Sequence, residues 1–281
     1  MQLAQYKTYF LQEIASLYES NEALNFFNLL QEAYLNMNRL DAALNPNFKI
    51  NKEQLTQFNK ALSQLKHEKP IQYIIGKTSF YGLDFQVNEH TLIPRPETEE
   101  LVSWIIENCP TDKTIRILDI GTGSGCIAIA LAKNLTNAQV TALDVSAETL
   151  AVANQNAILN NVKIQFIKTD ILKATTLDNH YDIIVSNPPY VRELEKKEIQ
   201  KNVLEYEPHT ALFVEDTNAL IFYDKIANLA KDGLVKDGLL FFEINQYLGK
   251  ETLELIKEKG FKTLKLKQDI FKNDRMIKAK I

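Results

Sequence analysis

The chain has 281 residues, 45% of them hydrophobic and 24% charged, with a formal net charge of −4, enough for one large domain and a small accessory one in an ordinary globular balance. No apolar run approaches the roughly 18 residues of a membrane helix, and the charge-interrupted MQLAQYKTYFLQEIASLYES does not fit a signal peptide. Cys109 and Cys126 form no CxxC pair, and His67, His90, His180 and His209 are scattered without metal-ligand spacing, so a metal-free cytoplasmic protein is the expectation.

Residues 1–69 balance seven basic against seven acidic groups, with no glycine and only Pro46. Tyr6, Tyr9, Phe10, Ile14 and Leu17, then Leu24, Phe27, Leu30, Tyr34 and Leu35, recur at helical spacing. NPNF at 45–48 interrupts the pattern, and NKEQLTQFNKALSQLKH resumes it behind Asn51, a fitting N-cap. A helical bundle over 1–70 is predicted, too small to be very stable alone.

From Pro70 the period shifts towards two. PIQYIIGKTSFYGLDFQV holds two β-rich runs separated by glycines, which predicts a β-hairpin in the linking segment 71–95. In LIPRPETEELVSWIIENC, Pro96 suits the first turn of a helix, and Glu97, Glu99 and Glu100 suit the positive end of its dipole. Short apolar strands then alternate with helices. The strands are IRILDI (115–120), QVTALDV (139–145), KIQFIKT (163–169), YDIIVSN (181–187) and GLLFFEI (238–244). Helices fall near 124–134, 147–160, 218–232 and 247–259, and the rhythm predicts an open, doubly wound α/β sheet. Two last strands, near 261–268 and 275–281, have no helix between them. Residues 70–248 carry a net −9 and residues 249–281 a net +5. In KEKGFKTLKLKQ, lysines alternate with Phe261, Leu264 and Leu266, which reads as a helix end and a strand with one solvated face.

ILDIGTGSGCIAIALA sets Gly121, Gly123 and Gly125 between a strand and a helix, where open α/β sheets bind ligands. The spacing is GxGxG, with Cys126 where the dinucleotide fingerprint has its third glycine. Asp119 precedes the first glycine; a carboxylate there opposes a pyrophosphate but suits the ammonium and sulfonium of S-adenosylmethionine. Asp144 ends the second strand, 23 residues after Gly121, the place of a carboxylate that grips a ribose diol. The competing role, capping the next helix, suits Ser146 better. After the third strand, Asp170 can accept from an exocyclic adenine amine while Ile171 packs on the ring.

SNPPY at 186–190 ends the fourth strand. A carboxamide nitrogen is a poor nucleophile and has to be held in line, with its N–H groups bonded to acceptors. Asn187 offers a side-chain carbonyl and Pro188 a backbone one. Pro188 and Pro189 stiffen the turn and remove competing donors, and Tyr190 can pack against a flat target group. Asn187, Pro188 and Tyr190 are the candidate catalytic residues. Proton loss can follow methylation, so no strong base is required.

YIIGKTSFYGLDFQV, LIPRPETEELV, ILDIGTGSGCIAIALA, Asp144, NPPY and DIFKNDRMIKA together resemble the peptide chain release factor N5-glutamine methyltransferases, the PrmC/HemK family, over nearly the whole chain. NPPY alone is shared with amino-methylating DNA and RNA enzymes; LIPRPETE together with NPPY is far more specific. The resemblance implies a seven-stranded class I methyltransferase (Rossmann-like) sheet over 96–281, dependent on S-adenosylmethionine and edged by an antiparallel strand. It also implies that the helical domain docks a release factor and presents its Gly-Gly-Gln loop. Gly121, Thr122, Gly123, Ser124, Gly125, Asp144, Ile171 and Asn187 would contact the cofactor, and Asn187, Pro188, Pro189 and Tyr190 the glutamine. A monomer without stable nucleic-acid or membrane partners is expected. The chain departs from the family pattern in EINQYLG, with Asn245 in place of a common glycine and Leu248 in place of a glutamine. FVEDTNAL after EPHTAL also lacks the usual glycines. Both departures are expected to lie away from the cofactor turn.

Two rival chemistries share these motifs. A nucleic-acid amino-methyltransferase needs a basic groove that the acidic middle segment does not supply. A ribosomal-protein glutamine methyltransferase shares every motif. A non-catalytic nucleotide-binding module has no need of NPPY.

Overall fold

The computed structural model describes residues 1–110 and 112–281. These divide into two units, Met1–Gly76 with Gln200–Tyr206, and Lys77–Ile199 with Glu207–Ile281.

The first unit is helical, with α1 (Leu3–Ile14), α2 (Ser20–Leu35), α3 (Arg39–Leu44), α4 (Lys52–Lys66) and α5 (Ile71–Ile75). Its core is aromatic. Phe10 and Phe27 meet edge to face at 5.4 Å, and Phe27 stacks on Phe58 at 5.9 Å. Tyr6, Phe10, Ile14, Phe27 and Leu30 are buried as their spacing predicts, whereas Tyr9 and Leu17 are exposed. Asn51 caps α4 in a reciprocal box, its side chain accepting from Gln54 N and its own N–H donating to Gln54 Oε1, each at 2.9 Å. The segment IQYII departs from the predicted β-run. It forms a short helix that Pro70 starts and Gly76 ends at φ +79°, with Ile71 and Tyr73 buried. Burial against the bundle here outweighs the β preference of a branched run.

The second unit opens with the hairpin β1 (Lys77–Phe80) and β2 (Leu83–Gln86), shorter than predicted. There follow α6 (Pro96–Glu107), β3 (Ile115–Ile120), α7 (Cys126–Asn134), β4 (Ala138–Asp144), α8 (Ala147–Leu159), β5 (Ile164–Lys168), β6 (Tyr181–Ser186) and β7 (Val191–Arg192). The helix α9 (Lys201–Tyr206) belongs to the first unit. The chain ends with α10 (His209–Leu212), β8 (Phe213–Val214), α11 (Ile221–Gly233), β9 (Leu234–Glu243), α12 (Gly249–Glu258), β10 (Lys265–Gln268) and β11 (Asp274–Lys280). Residues 191–217, which show no periodicity in sequence, contain a small parallel pairing of β7 with β8.

The main sheet has seven strands in the order β10-β11-β9-β6-β3-β4-β5. The five strands from β9 to β5 are parallel, and β11 joins β9 antiparallel. Alternation along the strands feeds two cores. Ile115, Ile117, Ile183 and Val185 face one side with Trp104 of α6 and Leu131 of α7. Leu118, Ile120 and Ile184 face the other with Tyr223 and Ile226 of α11. The basic final strands carry a solvated face that still covers apolar surface. The ammonium groups of Lys265, Lys267 and Lys278 lie 5.5–5.9 Å from the Trp104 ring centre. After β3 the chain returns through α7 to β4 on one side, while β6 lies on the other. That reversal opens a crevice at the carboxyl ends of β3, β4 and β6.

Candidate active site

The crevice holds a cavity of about 440 Å³, within the range of small-molecule sites. Three strand ends build it: the glycine turn after β3, Asp144 at the end of β4, and Asn187 after β6. Gly121 and Gly123 adopt φ of +74° and +56°, which disfavour any side chain. A Cβ on either would meet nothing within 4 Å, so the bare backbone faces open space. Gly125 serves packing instead. A Cβ there would lie 2.9 Å from Ile129 Cδ1 and 3.3 Å from Ala153 Cβ. The close helix contact that the dinucleotide fingerprint assigns to its third glycine is thus made one residue earlier, and Cys126 begins α7. Burial pushes the Cys126 thiol up to about 12, which keeps it protonated.

Asp144 accepts from Gly123 N and Ser146 N, both at 3.0 Å, one on each carboxylate oxygen. Those bonds hold it upright at the cavity wall, and its remaining lone pairs are free to accept from a diol. Ser146 caps α8 by accepting from Thr149 N. Asp119 lies fully buried behind the turn. Its Oδ2 accepts from Thr122 Oγ1 at 2.6 Å, and its Oδ1 has no hydrogen-bond partner among the described residues. Burial raises its carboxyl to about 7. Asp170 and Ile171 both line the cavity. Asp170 is already committed in part, accepting from Leu172 N and pairing with Lys173 at 3.0 Å.

Ser186 ties β6 to β3 by donating to the Ile120 carbonyl at 2.7 Å. This sets the height at which the next residue leaves the sheet. Asn187, Pro188 and Pro189 line the cavity together with Gly121 to Ser124. Asn187 donates from Nδ2 to Thr98 Oγ1 at 3.4 Å, and Thr98 donates to Glu243 Oε2 at 2.6 Å. Tyr190, expected to pack against the target group, is not among the residues lining the cavity; its ring packs against the apolar cluster on the α11 side, and its hydroxyl donates to Glu243 Oε1 at 3.1 Å.

Four side chains outside the predicted site residues stand on or behind this wall: Arg95, Thr98, Glu207 and Glu243. Glu207 is buried, accepting from Arg95 Nη2 at 2.6 Å and from Ile93 N at 3.2 Å. Thr98 and Glu243 stand behind Asn187. Arg95 and Thr98 belong to the PRPET segment that reads as a helix start, and their side chains are used as well as their backbone. Asn245, the departure expected to lie away from the cofactor turn, donates from Nδ2 to the Tyr190 carbonyl at 2.9 Å and to Glu195 Oε2 at 2.8 Å. It therefore fixes the chain leaving NPPY. The unusual segment near 213 is β8, paired with the strand that follows the same motif.

The PrmC N-terminal domain family matches residues 6–76, and the methyltransferase small domain family matches residues 99–210. A release factor glutamine methyltransferase of Flavobacterium psychrophilum is 58% identical over 282 residues, covering 99% of each chain. One from Bacteroides thetaiotaomicron is 40% identical, covering 96% of this chain and 97% of its own. Among solved structures, a methyltransferase from Pyrococcus furiosus covers 82% of this chain and 98% of its own at a TM-score of 0.52 and 18% identity, a likeness of fold.

Proposed function

The chain belongs to the release factor glutamine methyltransferases, and from that membership we propose that it methylates the side-chain amide nitrogen of the glutamine in a release factor's Gly-Gly-Gln motif, with S-adenosylmethionine as donor. The observation that carries the site assignment is the convergence of the open glycine turn, Asp144 and Asn187 on one cavity.

The residues present suit that donor. Gly121 and Gly123 let the backbone lie flat against a ligand, Asp144 has acceptor capacity for a ribose diol, and Ile171 offers an apolar surface for a base. Bound there, S-adenosylmethionine supplies an electrophilic methyl carbon. Asn187 Oδ1 and the Pro188 carbonyl accept the two N–H bonds of the target amide and hold its nitrogen in line with the donor. Their hydrogen bonds strengthen as the nitrogen becomes cationic, which stabilises the transition state more than the bound substrate. Pro188 and Pro189 keep competing N–H donors out of the site. The methylated nitrogen is acidic enough to release its proton without a dedicated base. Glu207 is already tied to Arg95 and Ile93, and Glu243 stands one hydrogen bond behind Thr98.

Incubation with methyl-labelled donor and purified release factors, followed by mass spectrometry of the modified peptide, tests the reading. Label is expected on the Gly-Gly-Gln glutamine; label confined to a ribosomal-protein glutamine or to nucleic acid rejects it. In the same assay Asn187→Ala is expected to lower turnover by roughly 100-fold or more, with donor affinity by calorimetry within a few-fold of wild type. Wild-type turnover in that variant rejects the role given to Asn187.

A further inference from the structure

A planar carboxamide has two nearly isosteric ends, and only its oxygen can accept the N–H groups of a target amide. Something has to decide which end of Asn187 faces the cavity. The hydrogen-bond chain behind it does so by counting protons. Glu243 is buried at the end of β9 and receives two hydroxyl donors, Thr98 on Oε2 and Tyr190 on Oε1. Burial raises its carboxyl above the ordinary range, and this is opposed by the hydrogen bond from Thr98, by the positive field of Arg275, itself held by Asp269 at 3.1 Å, and by the hydrogen bond from Tyr190. As a carboxylate flanked by two hydroxyl donors, Glu243 only accepts. The single hydroxyl proton of Thr98 is therefore committed to Glu243 through a short, charge-assisted bond of 2.6 Å. Towards Asn187, Thr98 Oγ1 then has lone pairs alone to offer. Only the Asn187 amino group can meet it, at 3.4 Å, and the carbonyl oxygen at the opposite corner is left for the cavity that Asn187 lines.

We propose that Thr98 and Glu243 form a polarity relay that turns the Asn187 carboxamide oxygen towards the target amide. This makes Glu243 a positioning residue for methyl transfer although it lies outside the cavity wall. The inference rests on the reading that Asn187 accepts from the glutamine amide. Reversing the relay inverts the site. With an N–H group facing Thr98 from the Glu243 position, the Thr98 proton turns to Asn187, whose amino group then faces the amino group of the substrate, donor against donor.

Three variants of the full-length enzyme test the relay, each with melting temperature, donor affinity by calorimetry, and kcat and KM for a release factor. Thr98→Val keeps the shape and removes the acceptor. It is expected to lower kcat by roughly 100-fold, the scale for a misoriented catalytic group, with donor affinity and KM changed little. Thr98→Ser restores the hydroxyl and is expected to recover most of kcat. Glu243→Gln, isosteric but able to donate, lets both amide orientations of Asn187 populate and is expected to lower kcat by roughly tenfold. A Thr98→Val enzyme keeping more than half of wild-type kcat overturns the relay, as do equal losses in Thr98→Val and Thr98→Ser. Should Thr98→Val fail to fold, Glu243→Gln decides, and unchanged kcat there overturns the proposal. If Asn187→Ala is inactive while the relay variants work normally, the relay alone falls. If Asn187→Ala turns over normally, the underlying reading of NPPY falls first.

Discussion

Asp119 carries a fully buried carboxyl with one hydroxyl donor, from Thr122. Burial dominates its raised value of about 7, so between its ordinary range near 4 and pH 7 the folded protein holds a proton that the unfolded chain has lost. Stability contributed by this group is therefore present in acid and is lost as pH rises through 7. Melting temperatures of the ligand-free protein are expected to fall from pH 5 to 8 more steeply in wild type than in Asp119→Asn; parallel profiles would contradict this. At this scale the sequence pointed to Asp119, Asp144 and Asn187 because each sits at or just past the carboxyl end of a strand. It could not place Thr98 or Glu243, since their effect depends on a proton's direction along a chain spanning 145 residues of sequence.

Between residue and domain, the glycine turn is held by elements outside the βαβ unit that presents it. Asn156 of α8 is fully buried and behaves like an added strand residue. Its Oδ1 accepts from Gln86 N at 2.6 Å, and its Nδ2 donates to Gln86 O and to Ser124 O, both at 2.9 Å. One side chain thereby clamps the hairpin end and the cofactor turn. Asn156→Ala leaves buried backbone groups without partners, and a loss of about 2–3 kcal/mol in denaturant unfolding is expected, with weaker donor binding alongside. Unchanged stability and affinity would show that the clamp is dispensable. The alternating elements from 96 onward were legible because buried parallel strands and amphipathic helices differ in period. IQYII was not, because five residues between Pro70 and Gly76 carry too little pattern to separate a helical turn from a strand. The segment 191–217 was silent because its short elements have no period of their own.

The helical unit is discontinuous in sequence. Residues 200–206 pack with 1–76, where Tyr206 donates to the His67 carbonyl at 2.8 Å and Lys201 pairs with Glu68 at 2.6 Å. Removing residues 1–76 leaves the second unit with both of its own cores. That truncation is expected to keep donor binding within a few-fold while kcat/KM for the release factor falls at least tenfold, about 1.4 kcal/mol. Equal efficiency with the protein substrate would rule out substrate docking by the helical unit. Nothing in the periodicity announced that seven residues from the middle of the chain belong with the leader, because helix α9 is one short piece whose partners are more than a hundred residues away.

That visit sets a condition on recombination. A chimaera that exchanges the leader alone, cut at residue 76, confronts a foreign bundle with the native visitor, and the mismatched surfaces include the partners of Tyr206 and Lys201. The inheritable cassette is two stretches of gene, and crossovers that separate them divide one compact unit.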